Sequence, residues 1–356
     1  MQPPRDDDPE LIDVRADERL DLSRLDPWLR RHLPGMDPGA PITVRQFGGG
    51  HANLTYLLRA GDTEYVLRRP PLGPVAPTSH DMAREHRVLA RLHERFPLAP
   101  PSLALCTDPA VVGCHFHVME RRRGFVVRRE LPAAFRGRPA LGRRLTEMIV
   151  DTLAALHRVD PARVGLGDLG RPDGFAVRQL AGWTRRWATA RHREHPAVDR
   201  MREWLARDIP RPQAATLLHN DYKLDNILVD PADPARPVAV LDWDMATRGD
   251  PLLELGYLLG FWSEAEDDPE WIHATGMPTH HAGCLTRDQV IARYAAQTGF
   301  DVERVRWHQV FGLFKLIVIL QQIYIRFLRG QTADRRFATF GRRIDGLAGK
   351  GAALLP

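Results

Sequence analysis

The stretch HNDYKLDN (219–226) gathers His219, Asn220, Asp221, Lys223, Asp225 and Asn226, and the apolar run Ile227–Leu228–Val229 follows at once. Asp242 stands sixteen residues beyond Asn226, in a second acidic turn, Leu241–Asp244, behind the apolar run Val238–Val240. Transfer of a phosphoryl group from a nucleotide needs a cation on the phosphates, metal ligands, a group to orient the acceptor hydroxyl and a cover over the phosphates. Hard divalent metals such as Mg²⁺ take oxygen ligands, few of them charged. Asp221, Asn226 and Asp242 are the candidates here. Asp221 and Asn226 are close enough for one short loop to aim both into one site. Asp242 would come from the neighbouring hairpin. Asp and Asn also cap turns, so it is the order of three, each beside an apolar strand, that favours a site.

Several elements must hold these residues. Ile42–Phe47, Leu54–Ala60 and Glu64–Arg69 alternate like strands, with GGGHAN (48–53) as the first turn and Gly61–Asp62 as the second. Asp81–Glu94 has amphipathic helical spacing. Gly113–Gly124 reads as a strand that ends in a charged connector. Beyond it the chain turns helical, with Leu145–Val159 and Val177–His195 as the clearest segments and further helices towards the C-terminus. The expected fold class is α+β: an acidic, loose lead-in (1–19), a small β-rich lobe (20–120) and a larger helical lobe (121–356). Such a pair makes a cleft, the default place for a ligand.

The chain has 356 residues, 44% of them hydrophobic, and a formal charge of +5, which permits anionic ligands without demanding nucleic acid. Its positive charge is almost all arginine; Lys223, Lys315 and Lys350 are its only lysines. Three cysteines, Cys106, Cys114 and Cys284, make no disulfide framework. Phe311–Leu328 is broken by Lys315, Gln321, Gln322 and Arg326 and reads as a buried helix, not a membrane span. The N-terminus does not read as a signal peptide. The expectation is a soluble, cytoplasmic protein.

HNDYKLDN followed by VLDWD resembles the catalytic loop and metal-binding turn of the aminoglycoside phosphotransferase-like kinases, which share the protein-kinase two-lobe fold. GGGHANLTYLL, YVLRRPPLG, REHRVLARL and FHVMERRRG, in that order, are similar to the subgroup related to kinase-like domains fused to acyl-CoA dehydrogenases. The resemblance covers roughly residues 20–340. It implies Asp221 as catalytic base, Asn226 and Asp242 as Mg²⁺ ligands, His219 as a support of the loop and Asp244 as an additional ligand or water-shell group. Asn220 stands where glycine is common, and Asn is the residue best able to replace glycine at positive φ. His51 stands where serine is frequent.

Kinases place a lysine on the third strand, paired with a glutamate on the next helix. No lysine precedes position 223, so Arg68 is assigned that part, with Glu85 as partner and Arg69 as runner-up. Arginine stays charged at any working pH and grips phosphate bidentately. Gly48, Gly49, Gly50 and Asn53 would form the phosphate-covering turn, and Met119–Glu120–Arg121 resembles the kinase hinge that meets the adenine. The implied function is an ATP- and Mg²⁺-dependent phosphotransferase acting on a hydroxyl of a small metabolite, hydroxyacyl-CoAs and hydroxy acids among the acceptors. An antibiotic kinase and a nucleotide-binding pseudokinase are the alternatives.

Other features carry less. Cys114–His117 has no second ligand pair at zinc spacing. His273, His280 and His281 near Cys284 read as a solvated loop. Arg185, Arg186, Arg191 and Arg193, interleaved with Trp183 and Trp187, would grip an anionic substrate or form a solvated basic face. Lys315, Tyr324 and Arg326 read as packing and salt bridges or as acceptor contacts.

Overall fold

The computed structural model describes residues 8, 10–33, 35–49, 53–73, 80–135, 137–332 and 334–356. The chain divides into two compact units: residues 1–123 with 239–246, and 124–238 with 247–356. One boundary is expected at residue 120, with 239–246 in the second lobe. The units divide three residues later, and the Asp242 turn groups with the first.

In the first unit, strands β1 (Leu11–Ile12), β2 (Ile42–Phe47), β3 (Leu54–Ala60), β4 (Thr63–Arg69), β5 (Ser102–Cys106) and β6 (Phe116–Glu120) form one antiparallel sheet, ordered β1-β2-β3-β4-β6-β5. Helices α1 (Leu22–His32), α2 (Met82–Leu92) and the short α3 (Pro109–Val112) complete it. Leu11 and Ile12 pair with Gln46 and Phe47, and the Tyr56 hydroxyl donates to the Glu18 carbonyl at 2.7 Å. Within the expected loose lead-in (1–19), Leu11–Ile12 is thus an edge strand of the sheet and Ala16–Glu18 a 3-10 turn held to β3. Strand alternation decides what each face carries. Leu67 joins Leu25, Leu29, Tyr56, Leu58 and Phe116 in the core under α1. Val66 and Arg68 point the other way. Asp81 caps α2 by accepting the Arg84 N–H, and α2 buries Met82, Glu85, Val88, Leu89 and Leu92.

The second unit holds β7 (Phe125–Val126), α4 (Pro139–His157), α5 (Phe175–Ala190), α6 (Pro196–Arg207), β8 (Thr216–Leu218) and β9 (Ile227–Val229). After β10 (Pro237–Val240), which carries the chain back into the first unit, come β11 (Thr247–Gly249), α7 (Pro251–Phe261), α8 (Pro269–Thr275), α9 (Arg287–Thr298), α10 (Val305–Leu328) and α11 (Phe340–Ala353). The predicted helix over 177–195 stops at Ala190, because Pro196 opens α6 instead. β8 pairs antiparallel with β11, Leu218 opposite Thr247, and β7 with β9. Residues 219–226 therefore run between two strand ends that are each fixed by a partner.

α10 is long and apolar enough to cross a membrane by length and composition. Here Trp307, Val310, Phe311, Phe314, Ile317 and Val318 of α10 lie in the core of this unit, against α5, α6 and α11. α10 also crosses α7 with no side chain between the two backbones. A Cβ on Gly312 would stand 2.3 Å from the Gly256 carbonyl oxygen, and one on Gly256 would stand 2.1 Å from that of His308.

Candidate active site

In the first unit, Arg68 and Glu85 meet with 3.1 Å between Nε and Oε2, and the other edge of the guanidinium pairs with Asp242. Glu85 is 1% exposed. It also faces His117 Nε2 at 3.3 Å and accepts the Trp243 backbone N–H at 3.2 Å. Burial opposes charge on Glu85, but Arg68, His117 and that N–H hold its carboxyl down at about 2. Burial likewise opposes charge on Arg68, and Glu85, Asp242 and Asp244 outweigh it. Both groups stay ionised, and removing either would strand a buried charge, at a cost of about 3–5 kcal/mol.

The turn after β10 is built around Asp242, whose φ is 70°. Asp244 beside it is buried and accepts from Asn53 Nδ2 at 3.1 Å; Asn53 Oδ1 meets His80 Nδ1 at 2.7 Å, and Arg84 donates to the Asp244 carbonyl. Burial, and then Asp242, push the Asp244 carboxyl up to about 7.

Arg69, the runner-up, takes the opposite face of β4 and donates to the Val112 carbonyl at 3.2 Å. Gly48 donates its N–H to the Glu10 carbonyl at 2.8 Å, so this turn is anchored to the chain before β1. Gly49 follows it, and Gly50 and His51 lie outside the described residues. Asn53, expected at the phosphates, holds Asp244. In the connector, Met119 is buried opposite Val66, Glu120 donates its N–H to the Pro101 carbonyl at 2.9 Å, and Arg121 pairs with Asp8 over the Phe47 ring.

In the second unit, Asp221 Oδ2 receives Lys223 Nζ at 2.6 Å and Asn226 Nδ2 at 3.1 Å, and Oδ1 receives the Tyr257 hydroxyl at 3.3 Å. Burial raises the Asp221 carboxyl, but Lys223 overcomes it, and the net shift is below the ordinary range. Asn220 has φ 70°, the positive value its position demands. Glu254 on α7 accepts the backbone N–H of both His219 and Asn220 and meets His157 Nε2 at 2.9 Å. His219 Nδ1 accepts the Asp221 N–H at 3.3 Å. Lys315 donates to the Asn220 carbonyl at 2.9 Å and lies 3.9 Å from the Tyr257 ring centroid. Burial brings its ammonium down to about 8.

A cavity of about 390 Å³ opens beside this loop, lined by Lys223, Asp225, Phe261, Arg128, Arg129 and Arg343 among others. Its four cations outnumber its single carboxylate, so its field favours anionic or neutral ligands.

Among the described residues no group of three His, Cys, Asp and Glu side chains forms a metal centre. Mg²⁺ commonly asks for less, one or two carboxylates with phosphates and water. The donors present are all oxygens: Asp242 and Asp244 in one unit, Asn226 in the other. Asn226 uses its Nδ2 on the Asp221 carbonyl and carboxylate, which leaves Oδ1 as the ligating atom. The set fits Mg²⁺. Cys114 and the neighbouring histidines do not form a competing centre, since His117 belongs to Glu85 and Ser102.

Sequence reasoning missed Glu254, Tyr257, His117 and Asn53's partner. Glu254 and Tyr257 sit in an apolar helix, PLLELGYLLGF, whose two polar groups were the signal available.

Residues 43–308 match the model of the phosphotransferase enzyme family. Acyl-CoA dehydrogenase family member 11 of Rattus norvegicus is 32% identical over 352 residues, covering 97% of this chain and 44% of that protein. The chain thus spans less than half the length of this relative. A crystal structure from Ralstonia eutropha JMP134, provisionally named an aminoglycoside phosphotransferase, is 29% identical with a TM-score of 0.81, covering 94% of this chain and 98% of that one. An aminoglycoside phosphotransferase solved with AMP-PNP and hygromycin B shares the fold at 16% identity and a TM-score of 0.57, over 92% and 99% of the two chains. These likenesses establish the α+β kinase-like fold, with a β-rich unit and a helical unit.

Proposed function

The chain belongs to the phosphotransferase enzyme family, with an alcohol group as acceptor, and we propose that it transfers phosphate from ATP to a hydroxyl of an anionic metabolite of the hydroxy-acid or hydroxyacyl-CoA class. The cavity beside Asp221 carries this reading. Four cations against one carboxylate suit a carboxylate or phosphate ester and repel the polycationic aminoglycosides. The rat relative's name supports the acyl-CoA class.

In this reading Asp221 orients the acceptor hydroxyl and takes its proton as the new bond forms. Its depressed proton affinity keeps it ionised and ready to accept at neutral pH. Lys223, on Asp221 Oδ2, fixes the carboxylate and adds positive charge near the transferred group. Asp242 and Asn226 would hold Mg²⁺, which when bound neutralises phosphate charge. Arg68 would leave Asp242 for the phosphates while Glu85 keeps it aligned. Positioning and charge stabilisation supply the rate.

The test is Mg²⁺-dependent ADP release from ATP by the purified protein, against hydroxyacyl-CoAs, hydroxy acids, sugars, aminoglycosides and macrolides, with Asp221→Ala in parallel. Release stimulated by a hydroxy acid or hydroxyacyl-CoA and lost in the variant is the expected outcome. Stimulation by an antibiotic alone reassigns the acceptor. Nucleotide binding with no stimulated release leaves a pseudokinase.

A further inference from the structure

Helices α5 and α10 border a second cavity, of about 680 Å³, a volume typical of small-molecule sites. Arg185 and Arg186 enter it from α5, Arg326 and Arg329 from the end of α10, and no Asp or Glu lines it. Arg193, a few residues past the end of α5, is neutralised by Asp345. These four have no carboxylate partner among the described residues. Guanidinium groups held around one space repel each other unless an anion sits between them. Ile319 and Ile323 give the same space an aliphatic wall.

The cavity is tied to the candidate catalytic loop within the same unit. Arg186 lies over the Trp183 ring at 4.5 Å, and Lys315 faces that ring at 5.8 Å while it holds the Asn220 carbonyl. Along α10 the rise per residue places Ile323 about 12 Å and Arg326 about 16 Å beyond Lys315. A compact sugar or short hydroxy acid does not span that distance.

We propose that this cavity is the acceptor's polyanion subsite, taking a phosphate-bearing group joined by a chain of about 12–20 Å to the hydroxyl delivered to Asp221. The inference rests on the kinase reading above and narrows it: the acceptor is a hydroxyacyl group on a phosphorylated carrier, not a free hydroxy acid.

The test reads binding, so it stands apart from turnover. Coenzyme A and, separately, inorganic pyrophosphate are titrated by calorimetry into the full chain without Mg²⁺. The proteins are wild type, Arg185→Glu/Arg326→Glu, Arg329→Glu alone, and Arg163→Glu and Arg200→Glu at exposed arginines that line neither cavity, each first checked for cooperative melting. Coenzyme A should bind the wild type. Its affinity should fall at least about tenfold with each α5/α10 reversal and stay within about threefold in the other two variants. Pyrophosphate, lacking the chain, should bind more weakly than coenzyme A. No binding of coenzyme A, equal affinity in the reversals, pyrophosphate as tight as coenzyme A, or an equal loss in Arg163→Glu or Arg200→Glu would each overturn the proposal. An acceptor panel that shows transfer while the reversals change nothing sinks this inference alone. Reversal-sensitive binding with no transfer to any acceptor sinks the kinase reading and, with it, the acceptor role of the cavity, which is then a polyanion site alone.

Discussion

Arg68 and Asp242, 174 residues apart in sequence, form an ion pair inside one compact unit. The cation proposed for the phosphates is therefore held by the carboxylate proposed for the metal. Arg68 stays charged, so it needs no proton when nucleotide arrives. Replacing Arg68 by Ala should lower kcat/KM for ATP by about 100-fold or more, the scale for losing one preorganised donor. Arg68→Lys should recover part of the loss, since an ammonium on the same strand face still meets phosphate as a point charge. Arg69→Ala, on the opposite face, should leave nucleotide kinetics within about threefold. Steady-state kinetics at varied ATP decide it, and an Arg68→Ala enzyme at wild-type efficiency would end the assignment.

Asp221→Asn should cut kcat by about 10²–10⁴ with little change in KM for ATP, as expected when a proton acceptor is lost and binding is kept. A comparable rise in KM at unchanged kcat would make Asp221 a binding residue instead.

Lys315 sets a pH dependence. Its folded-state pKa is lowered to about 8 by burial. The unfolded chain binds more protons between that value and the ordinary lysine range, so this group makes the protein more stable as pH rises through that window and has no effect well below pH 8. Activity should move the other way: deprotonation weakens the contact with Asn220, giving kcat a falling limb near pH 8. Lys315→Met should lose rate and lose the limb. A wild-type profile that is flat from about pH 7 to 9 would contradict this.

Glu254 carries the backbone of the 219–221 loop and His157 on one buried carboxylate. Glu254→Ala should destabilise by about 3–5 kcal/mol in a urea titration. Glu254→Gln should be milder in stability yet still slow turnover, because the amide satisfies one fewer donor.

Two glycine replacements should have opposite signs. Gly349→Ala in α11 meets nothing within 4 Å and should raise stability by up to about 1 kcal/mol. Gly312→Ala gains the same helix propensity but drives a Cβ into the Gly256 carbonyl, and overpacking of about 1–3 kcal/mol should dominate. Melting temperatures of the two variants check both signs.

The legible parts of this molecule were those with short-range grammar. Strand alternation separated Arg68 from Arg69, the amphipathic spacing of Asp81–Glu94 marked α2, and Asn220 matched the positive φ of its turn. Hidden in the sequence were contacts between elements far apart in the chain. Nothing local tells that Glu254 will reach the loop 34 residues before it, or that Asn53 will hold Asp244. Nor did the arginine-rich segment 177–195 reveal which of its cations would be neutralised: Arg193 is, by Asp345, while Arg185 and Arg186 face the α10 end of a cavity. Such pairings depend on tertiary packing, which residue spacing does not encode.

The bare crossing of Gly256 and Gly312 bears on how this scaffold can diversify. With carbonyls in place of side chains at the contact, α7 and α10 have no rotamers there to adjust, so one helix cannot slide along the other in small steps. Glu254, Tyr257 and Lys315 all stand within one turn of that crossing. Descendants of this chain should therefore keep the hydroxyl-facing end nearly invariant and acquire new acceptors by changing residues on the outer half of α10, from Ile319 to Arg329, where the helix is free of the crossing.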